Sequence, residues 1–320
     1  MTANTAIIGL GIMGRRMLEN MVRHPGYRPV ALWDPDPEAC GAALSMAPDA
    51  RVTPSADEAM SAAELVYLAC PPVPRKDYAL AAAHAGKAVF LEKPLGVDIA
   101  QSEALVAGLR AAGVPAAVNF TQAAGAALTG VSQAARDGTL GTLVGADIVL
   151  TYPAWPRAWQ KAADWLRFRD EGGMTREVVS HFLFFCERIL GPLSLVGAMP
   201  SYPSDPRLCE THLLARLETA EGRPVTIMAS VGGAQPDRQE LTIKGTEASR
   251  RITDFYIDAT SDGGPFVEVG PRPADPRRAS LEAQLDDLLL CLRGEPHRLA
   301  TPAEALRVQK LVEGMLSAGN

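Results

Sequence analysis

The hexapeptide Gly9-Leu10-Gly11-Ile12-Met13-Gly14 spells G-x-G-x-x-G directly after an apolar run and directly before a helix-like stretch. In that setting each glycine has a mechanical task. Gly9 turns the chain tightly, Gly11 lets backbone approach a pyrophosphate, and Gly14 lets the helix pack close to the strand. The anion then lies on the unpaired N–H groups of the helix start. Asp34 follows 20 residues after Gly14, at the end of the run "VALWD", where a carboxylate can accept hydrogen bonds from an adenosine ribose. The same carboxylate repels a 2′-phosphate, and Pro35-Asp36 beside it offers no arginine to neutralise one. The pattern therefore favours NAD, with NADP as the second option because Arg15 and Arg16 are near in sequence.

Two further groups have the types that move protons. The run "AVFLEKP", Ala88 to Pro94, is an apolar strand that ends in a carboxylate, an amine and a proline. Ligands of parallel α/β sheets bind beyond the carboxyl ends of the strands, which is where Glu92 and Lys93 stand, and Pro94 stops the ladder and sets the lysine's direction. The preceding strand closes at Cys70-Pro71, and we expect cofactor contacts from these two residues, from Leu10, Ile12 and Met13 of the glycine turn, and from Glu92 and Lys93. The second group is Glu177 and His181, four apart in "TREVVSHFLFFCERILG" and hence neighbours on one face of an α-helix. The stripes Val178-Phe182-Phe185-Ile189 and Val179-Leu183-Cys186-Leu190 predict that this helix is buried nearly all round. An imidazole there is suited to move a hydroxyl proton near neutral pH; the plain alternative is a core histidine paired with Glu177.

The elements that must hold these groups change character along the chain. Up to about residue 120, the runs "TAIIGLG", "YRPVALWD", "AELVYLACP", "AVFLEKP" and "PAAVNF" alternate with helical stretches. Apolar strands without alternation, separated by helices, indicate a parallel sheet covered on both faces. Beyond that, strict period-two runs appear: Leu213, Ala215 and Leu217; Val225, Ile227, Ala229 and Val231; Leu241 and Ile243. They fit an antiparallel sheet. Two helical segments close the chain, the second opening on Thr301, Pro302 and Glu304 in the manner of a capped helix start. The expected fold class is α/β: a doubly wound Rossmann domain over residues 1–121, then an α+β domain over 122–320 with a large, mostly antiparallel open sheet.

Composition narrows the partners. With 31 basic and 37 acidic residues among 320, a formal charge of -6, the chain has no basic stripe for a nucleic acid. Five scattered cysteines, never spaced Cys-x-x-Cys, support neither a disulfide framework nor a structural zinc site, so no metal is expected. No basic leader and no apolar window of about 18 residues appear, which points to a cytoplasmic protein away from membranes. Tyr152, Trp155, Trp159 and Trp165, with Arg157, Arg167 and Arg169, precede the His181 segment. Of these, Trp159 and Arg167 are the expected substrate contacts, together with Glu177 and His181, because aromatic faces stack on sugar rings and arginine binds carboxylates in bidentate fashion.

Taken together, the glycine turn, Gly86-Lys87 before "AVFLEKP", "GGMTREVVSHF" and the closing "DDLLLCLRGEPHRLATPAEAL" make the whole chain resemble the glucose–fructose oxidoreductase and inositol dehydrogenase family, Gfo/Idh/MocA. The resemblance implies that Lys93 contacts both nicotinamide ribose and substrate oxygen, that the bond before Pro94 is cis, and that His181 is the general acid/base. The family's aspartate falls on Glu177 and its intervening glycine on Val179, which alters the pocket expected for sugars and polyols. Pro72 and Arg75 stand where an asparagine and a histidine are common, and "NFTQAA" lacks an arginine pair often found there.

The implied reaction is hydride exchange between nicotinamide and a hydroxyl or carbonyl carbon of a sugar, polyol or related acid. Lys93 would polarise the oxygen, His181 would carry the proton, and Glu177 would orient it. Two rivals stand beside this reading. One is a dinucleotide-binding regulator or sensor without turnover. The other is a β-hydroxyacid dehydrogenase or imine reductase, which "IGLGIMGRRMLENM" also resembles but whose second domain is all-helical. The family resemblance further implies a homodimer or homotetramer built through the second sheet, with the face carrying Val225, Ile227, Leu241 and Ile243 as the surface that needs a cover.

Overall fold

The computed structural model describes residues 2–318. By packing, the chain divides into two units. One runs to Phe120 and regains Leu281–Leu306; the other holds Thr121–Ser280 and the chain from Arg307 onward. A single linear division at 121/122 does not contain that return.

The first unit alternates strand and helix: β1 (Ala3–Ile8), α1 (Ile12–Arg23), β2 (Tyr27–Trp33), α2 (Pro37–Met46), β3 (Arg51–Val52), α3 (Ala56–Ser61), β4 (Leu65–Leu68), α4 (Pro72–His84), β5 (Ala88–Glu92), α5 (Ile99–Ala112) and β6 (Ala116–Asn119). The six strands lie in the order β3-β2-β1-β4-β5-β6, with every pairing parallel. This is the doubly wound order, whose direction of winding reverses between β1 and β4, and ligands bind at that reversal. The edge strand β3 is only two residues long and had no apolar run to announce it. Residues of β4 and β5 are buried throughout, as a sheet covered on both faces requires. The core around Ile7, Leu32, Tyr67 and Phe90 is completed from far along the chain by Leu281, Leu285, Leu288, Cys291 and Leu299.

The second unit contains α6 (Ala126–Arg136), β7 (Leu143–Tyr152), α7 (Ser180–Leu190), β8 (Leu193–Ser201), β9 (His212–Thr219), β10 (Pro224–Val231), β11 (Arg238–Gly245), β12 (Ser249–Thr253), β13 (Ile257–Ser261) and β14 (Val267–Glu268). Helices α8 (Pro276–Leu292) and α9 (Pro302–Ser317) close the chain. Glu304 N and Thr301 Oγ1 form one half of a capping box at α9, and Thr301 N and Glu304 Oε2 the other. The eight strands run β14-β13-β12-β11-β7-β10-β9-β8, all antiparallel except β7 with β10. An eight-stranded sheet here excludes the all-helical second domain of the β-hydroxyacid dehydrogenase alternative.

Strand alternation is strict, yet the face that needs a cover is the opposite of the one expected. Val225, Ile227, Leu241 and Ile243 are at most 1% exposed, so their face is already covered inside the unit, where α7 packs on β7 and on α6. Period two separates the faces of a strand without saying which of them a helix will cover. The open face instead carries Met199, Leu214 and Met228, which are direct cross-strand neighbours, with Val149 next in the row.

Candidate functional site

In the first unit the glycine turn is held by contacts only glycine permits. Gly9 has φ +90, and a Cβ on it would lie 2.5 Å from Cys70 N; a Cβ on Gly14 would lie 1.9 Å from Gly9 O. Gly11 differs: it is exposed, and a Cβ there would meet no protein atom within 4 Å. Its smallness serves something that approaches from outside. Gly11 is also the residue at the start of α1, where no side chain caps the first N–H groups. Ile12 and Met13 form the first turn of that helix and are half-buried.

Asp34 sits just past β2 and braces the turn. Its Oδ2 accepts from Leu10 N at 2.6 Å and its Oδ1 from Asp36 N at 2.9 Å. Each carboxylate oxygen accepts more than one bond, so ribose hydroxyls remain within its capacity. Arg15 donates to Leu10 O at 2.7 Å and Arg16 to Met13 Sδ at 3.4 Å. Glycines shaped for backbone approach, an uncapped helix start and a ribose carboxylate fit a dinucleotide.

The strand ends beside the turn are tied together. Arg75, in the first turns of α4, is 2% exposed and donates to Glu92 O at 2.7 Å, to Pro94 O and to Cys70 O. The Lys93–Pro94 bond is cis. Lys93 itself is half-buried, whereas the Glu92 side chain turns into the core and accepts from Tyr67 OH and, at 2.6 Å, from Asn119 Nδ2. Burial raises the Glu92 carboxyl above the ordinary glutamate range, and the Tyr67 hydrogen bond, Lys93 and Arg75 pull it partly back. Burial likewise raises the Cys70 thiol, against the pull of Arg75, so Cys70 is a packed residue rather than a nucleophile. Pro71, in contrast, is exposed at the start of α4.

In the second unit Glu177 and His181 fall on one helical rod, Glu177 in a π turn and His181 in the α-helix that continues it. Thr175–Val179 is a π-helical turn, and α7 begins only at Ser180. A π turn winds more widely than an α-helix, and such turns recur at functional positions. It is anchored on both sides. Gly173 (φ +107) lets Glu210 approach, and Glu210 Oε1 accepts from Thr175 N at 2.7 Å. Arg176 binds both oxygens of Glu313 at 2.7 Å and the carbonyls of Arg169 and Gly172. His181 is 5% exposed, in a helix buried from Ser180 to Glu187, as the two apolar stripes predict.

Several residues around Glu177 and His181 were not legible as site residues. Phe255 lies edge-on to His181 at 5.3 Å between centroids and stacks on Phe182 at 5.1 Å. It lies in the three-residue connection between β12 and β13, where Asp254 and Phe255 both have positive φ, +50 and +68. A bulky residue in that conformation is an outlier whose cost the surroundings must sustain. Gln160 bridges Arg157 and Glu177: its Oε1 accepts from Arg157 Nε at 3.0 Å and its Nε2 donates to Glu177 Oε1 at 3.2 Å. Arg157 is buried against the rings of Tyr152, Trp155 and Trp159. Trp159 is 42% exposed, with the guanidinium groups of Arg157 and Arg277 over its ring at 4.8 and 5.4 Å. Arg167 is held locally, paired with Asp164 at 3.0 Å and lying over the Phe168 ring.

A parallel sheet in 3-2-1-4-5-6 order, with a dinucleotide turn at its reversal and a second, open-sheet unit, defines a nicotinamide-dependent oxidoreductase. Residues 3–120 match the oxidoreductase family with an NAD-binding Rossmann fold, and residues 129–251 match the GFO/IDH/MocA C-terminal domain. The chain belongs to the GFO/IDH/MocA family, whose cofactor is NAD and whose chemistry is at CH–OH carbons. It is 33% identical to a D-apiose dehydrogenase of Paraburkholderia graminis, over 96% of this chain and 85% of that one. It is 26% identical to the dTDP-3,4-didehydro-2,6-dideoxy-alpha-D-glucose 3-reductase of Streptomyces antibioticus, over 95% and 92%. An oxidoreductase from Agrobacterium radiobacter, solved with NAD+, L-tartaric acid and magnesium, superposes with a TM-score of 0.86 at 16% identity, covering 100% and 98% of the two chains. Among the described residues no helix is long and apolar enough to cross a membrane.

Proposed function

We propose that this chain oxidises a hydroxyl of a small sugar, or reduces the matching carbonyl, with polyols and related acids as the neighbouring substrate classes. The observation that supports this most directly is the row Arg157, Gln160 and Glu177 beside the exposed indole of Trp159. A carboxylate and an amide held in register bind vicinal hydroxyls, and an aromatic face stacks on a sugar ring. The two relatives that share most of their length with this chain are both named for sugar substrates.

Bound NAD supplies the hydride acceptor. The protein supplies the rest. Gly9 to Gly14 and Asp34 hold the dinucleotide; Lys93 donates a hydrogen bond to the reacting oxygen and stabilises negative charge as it develops there. His181 accepts the hydroxyl proton, or returns it in the reverse direction, and Glu177, steadied by Gln160, binds a neighbouring hydroxyl. The test is fluorescence titration with NADH and NADPH, then absorbance at the nicotinamide band with D-apiose and a panel of other sugars, inositols, uronates and hydroxy acids. NADH binding with turnover of a sugar supports the reading, and turnover confined to hydroxy acids overturns its substrate class.

We further propose that copies of the chain associate through the open face of the eight-stranded sheet, because Met199, Leu214 and Met228 make a continuous apolar row across three strands. Leu214→Glu should then lower the mass seen by light scattering to that of a single chain while NADH binding persists. An unchanged mass would exclude this face. Five free, buried cysteines suit work in the reducing cytoplasm.

A further inference from the structure

The two carbonyls that flank Lys93 in the chain, Glu92 O and Pro94 O, both accept from one terminal nitrogen of Arg75, and its other terminal nitrogen donates to Cys70 O. Cys70 follows β4, and β4 is the strand that pairs with β5, Leu68 lying opposite Leu91. One guanidinium therefore grips the backbone on either side of the lysine and ties it to the neighbouring strand end. Arg75 is 2% exposed, so these bonds are shielded from water, and bonds from a charged donor to a carbonyl are of the stronger kind. Its Nε–H finds no acceptor among the described residues. The side chain is thus arranged for its two terminal nitrogens at the expense of the third donor.

Residue type matters here. A guanidinium presents several N–H groups in a rigid planar fork, whereas an ammonium is a single centre and an imidazole has at most two N–H groups on opposite edges. Only the fork reaches three carbonyls on two strand ends.

We infer that Arg75 is the positioning residue for Lys93, setting where its amine stands and linking that place to the Cys70–Pro71 end of β4. The inference rests on the role proposed for Lys93 and makes that role depend on a residue with no part in the chemistry. Misplacing a reacting group by about 1 Å costs on the order of 100-fold in rate.

The experiment uses the full chain with Arg75→Met, Arg75→Lys and Lys93→Ala, each assayed with the best sugar of the panel, titrated with NADH and followed by amide hydrogen exchange. Arg75→Met should lower kcat roughly 10- to 100-fold while KM and the NADH Kd move less than about threefold. Exchange should quicken only at the amides of Cys70 and Val73 and around Glu92–Gly96, the prolines having no N–H. Arg75→Lys, which keeps one donor, should recover part of the loss. An unchanged kcat in Arg75→Met overturns the inference, as does a loss accompanied by faster exchange throughout the first unit, the mark of a general structural role. If Arg75→Met does not fold, Arg75→Lys is read by the same criteria, and a wild-type kcat with wild-type exchange overturns the inference. Turnover that survives Lys93→Ala sinks the role of Lys93 itself; turnover lost in Lys93→Ala but intact in both Arg75 variants sinks this inference alone.

Discussion

The glycine turn of the first unit and the proposed substrate site of the second are built on opposite plans. At the glycine turn the backbone itself is the functional surface, and its shape follows from contacts that no other residue survives: Gly9 against Cys70, Gly14 against Gly9. Around Glu177 and His181 the backbone is a carrier. What the proposed site offers a ligand there is side chain, propped through Gln160, Phe255, Glu210 and Arg176. The difference teaches that a cofactor common to many enzymes can be recognised by main chain, while a substrate peculiar to one is left to side chains that can change one at a time.

Lys93 combines the two plans in one residue, a side chain projected from an over-determined backbone. Lys93→Ala should reduce turnover about a thousandfold while NADH titration stays within about threefold of wild type. Equal losses in both would show that the lysine is chiefly a cofactor ligand.

The backbone plan itself is tested by setting two glycines against each other. Gly11→Ala should leave thermal unfolding unchanged, since the added methyl meets no protein atom, yet weaken NADH binding at least about tenfold by standing where the pyrophosphate approaches. Gly14→Ala should lower the unfolding temperature as well, because its methyl would overlap Gly9 O. If both variants melt alike, the turn is not the backbone cradle described.

On the substrate side, Phe255→Gly exchanges a ring for relief of a left-handed backbone worth about 1–2 kcal/mol. Stability should change little, and kcat with a turned-over sugar should drop about three- to tenfold through loss of the ring edge on His181. Undiminished kcat would mark the turn as packing only.

The smallest effect concerns Glu92. Its carboxyl is raised by burial, so the folded chain keeps a proton there that the unfolded chain has already released. Stability is therefore fullest below the ordinary glutamate range and declines as pH rises from there through the raised value. Glu92→Gln should flatten that decline in a series of unfolding temperatures against pH. Glu210 and Asp258 are also raised by burial and contribute the same sign, so the wild-type minus variant difference is the quantity to follow.

Legibility in the sequence follows the same divide. The parallel sheet, the glycine turn and the apolar stripes of α7 were readable because each is a local rule with a fixed period or spacing. The two-residue β3 carries no period at all, and only its pairing with Ala31 and Leu32 makes it a strand. The π turn at Glu177 was unreadable because its cause is distant: Glu210 and Glu313 hold it from 35 and 137 residues away. Arg75 stands out in the sequence only as a departure from the family pattern, and Gln160 not at all; their importance comes from which carbonyls and carboxylates the fold brings to them. The covered face of the second sheet was misassigned for a related reason, since alternation is symmetrical until a helix is laid on one side.

Leu281, Leu285, Leu288, Cys291 and Leu299 complete a core whose other buried members all precede residue 120. A ribosome makes the chain from its amino end, so the nucleotide-binding unit emerges early with its sheet written but one wall missing. That wall arrives only after every strand of the second sheet is already out. The nascent protein must therefore keep its first domain unfinished, or shielded by chaperones, until its last helices appear, and a message truncated near residue 280 would yield an incomplete first domain as well as a shortened second.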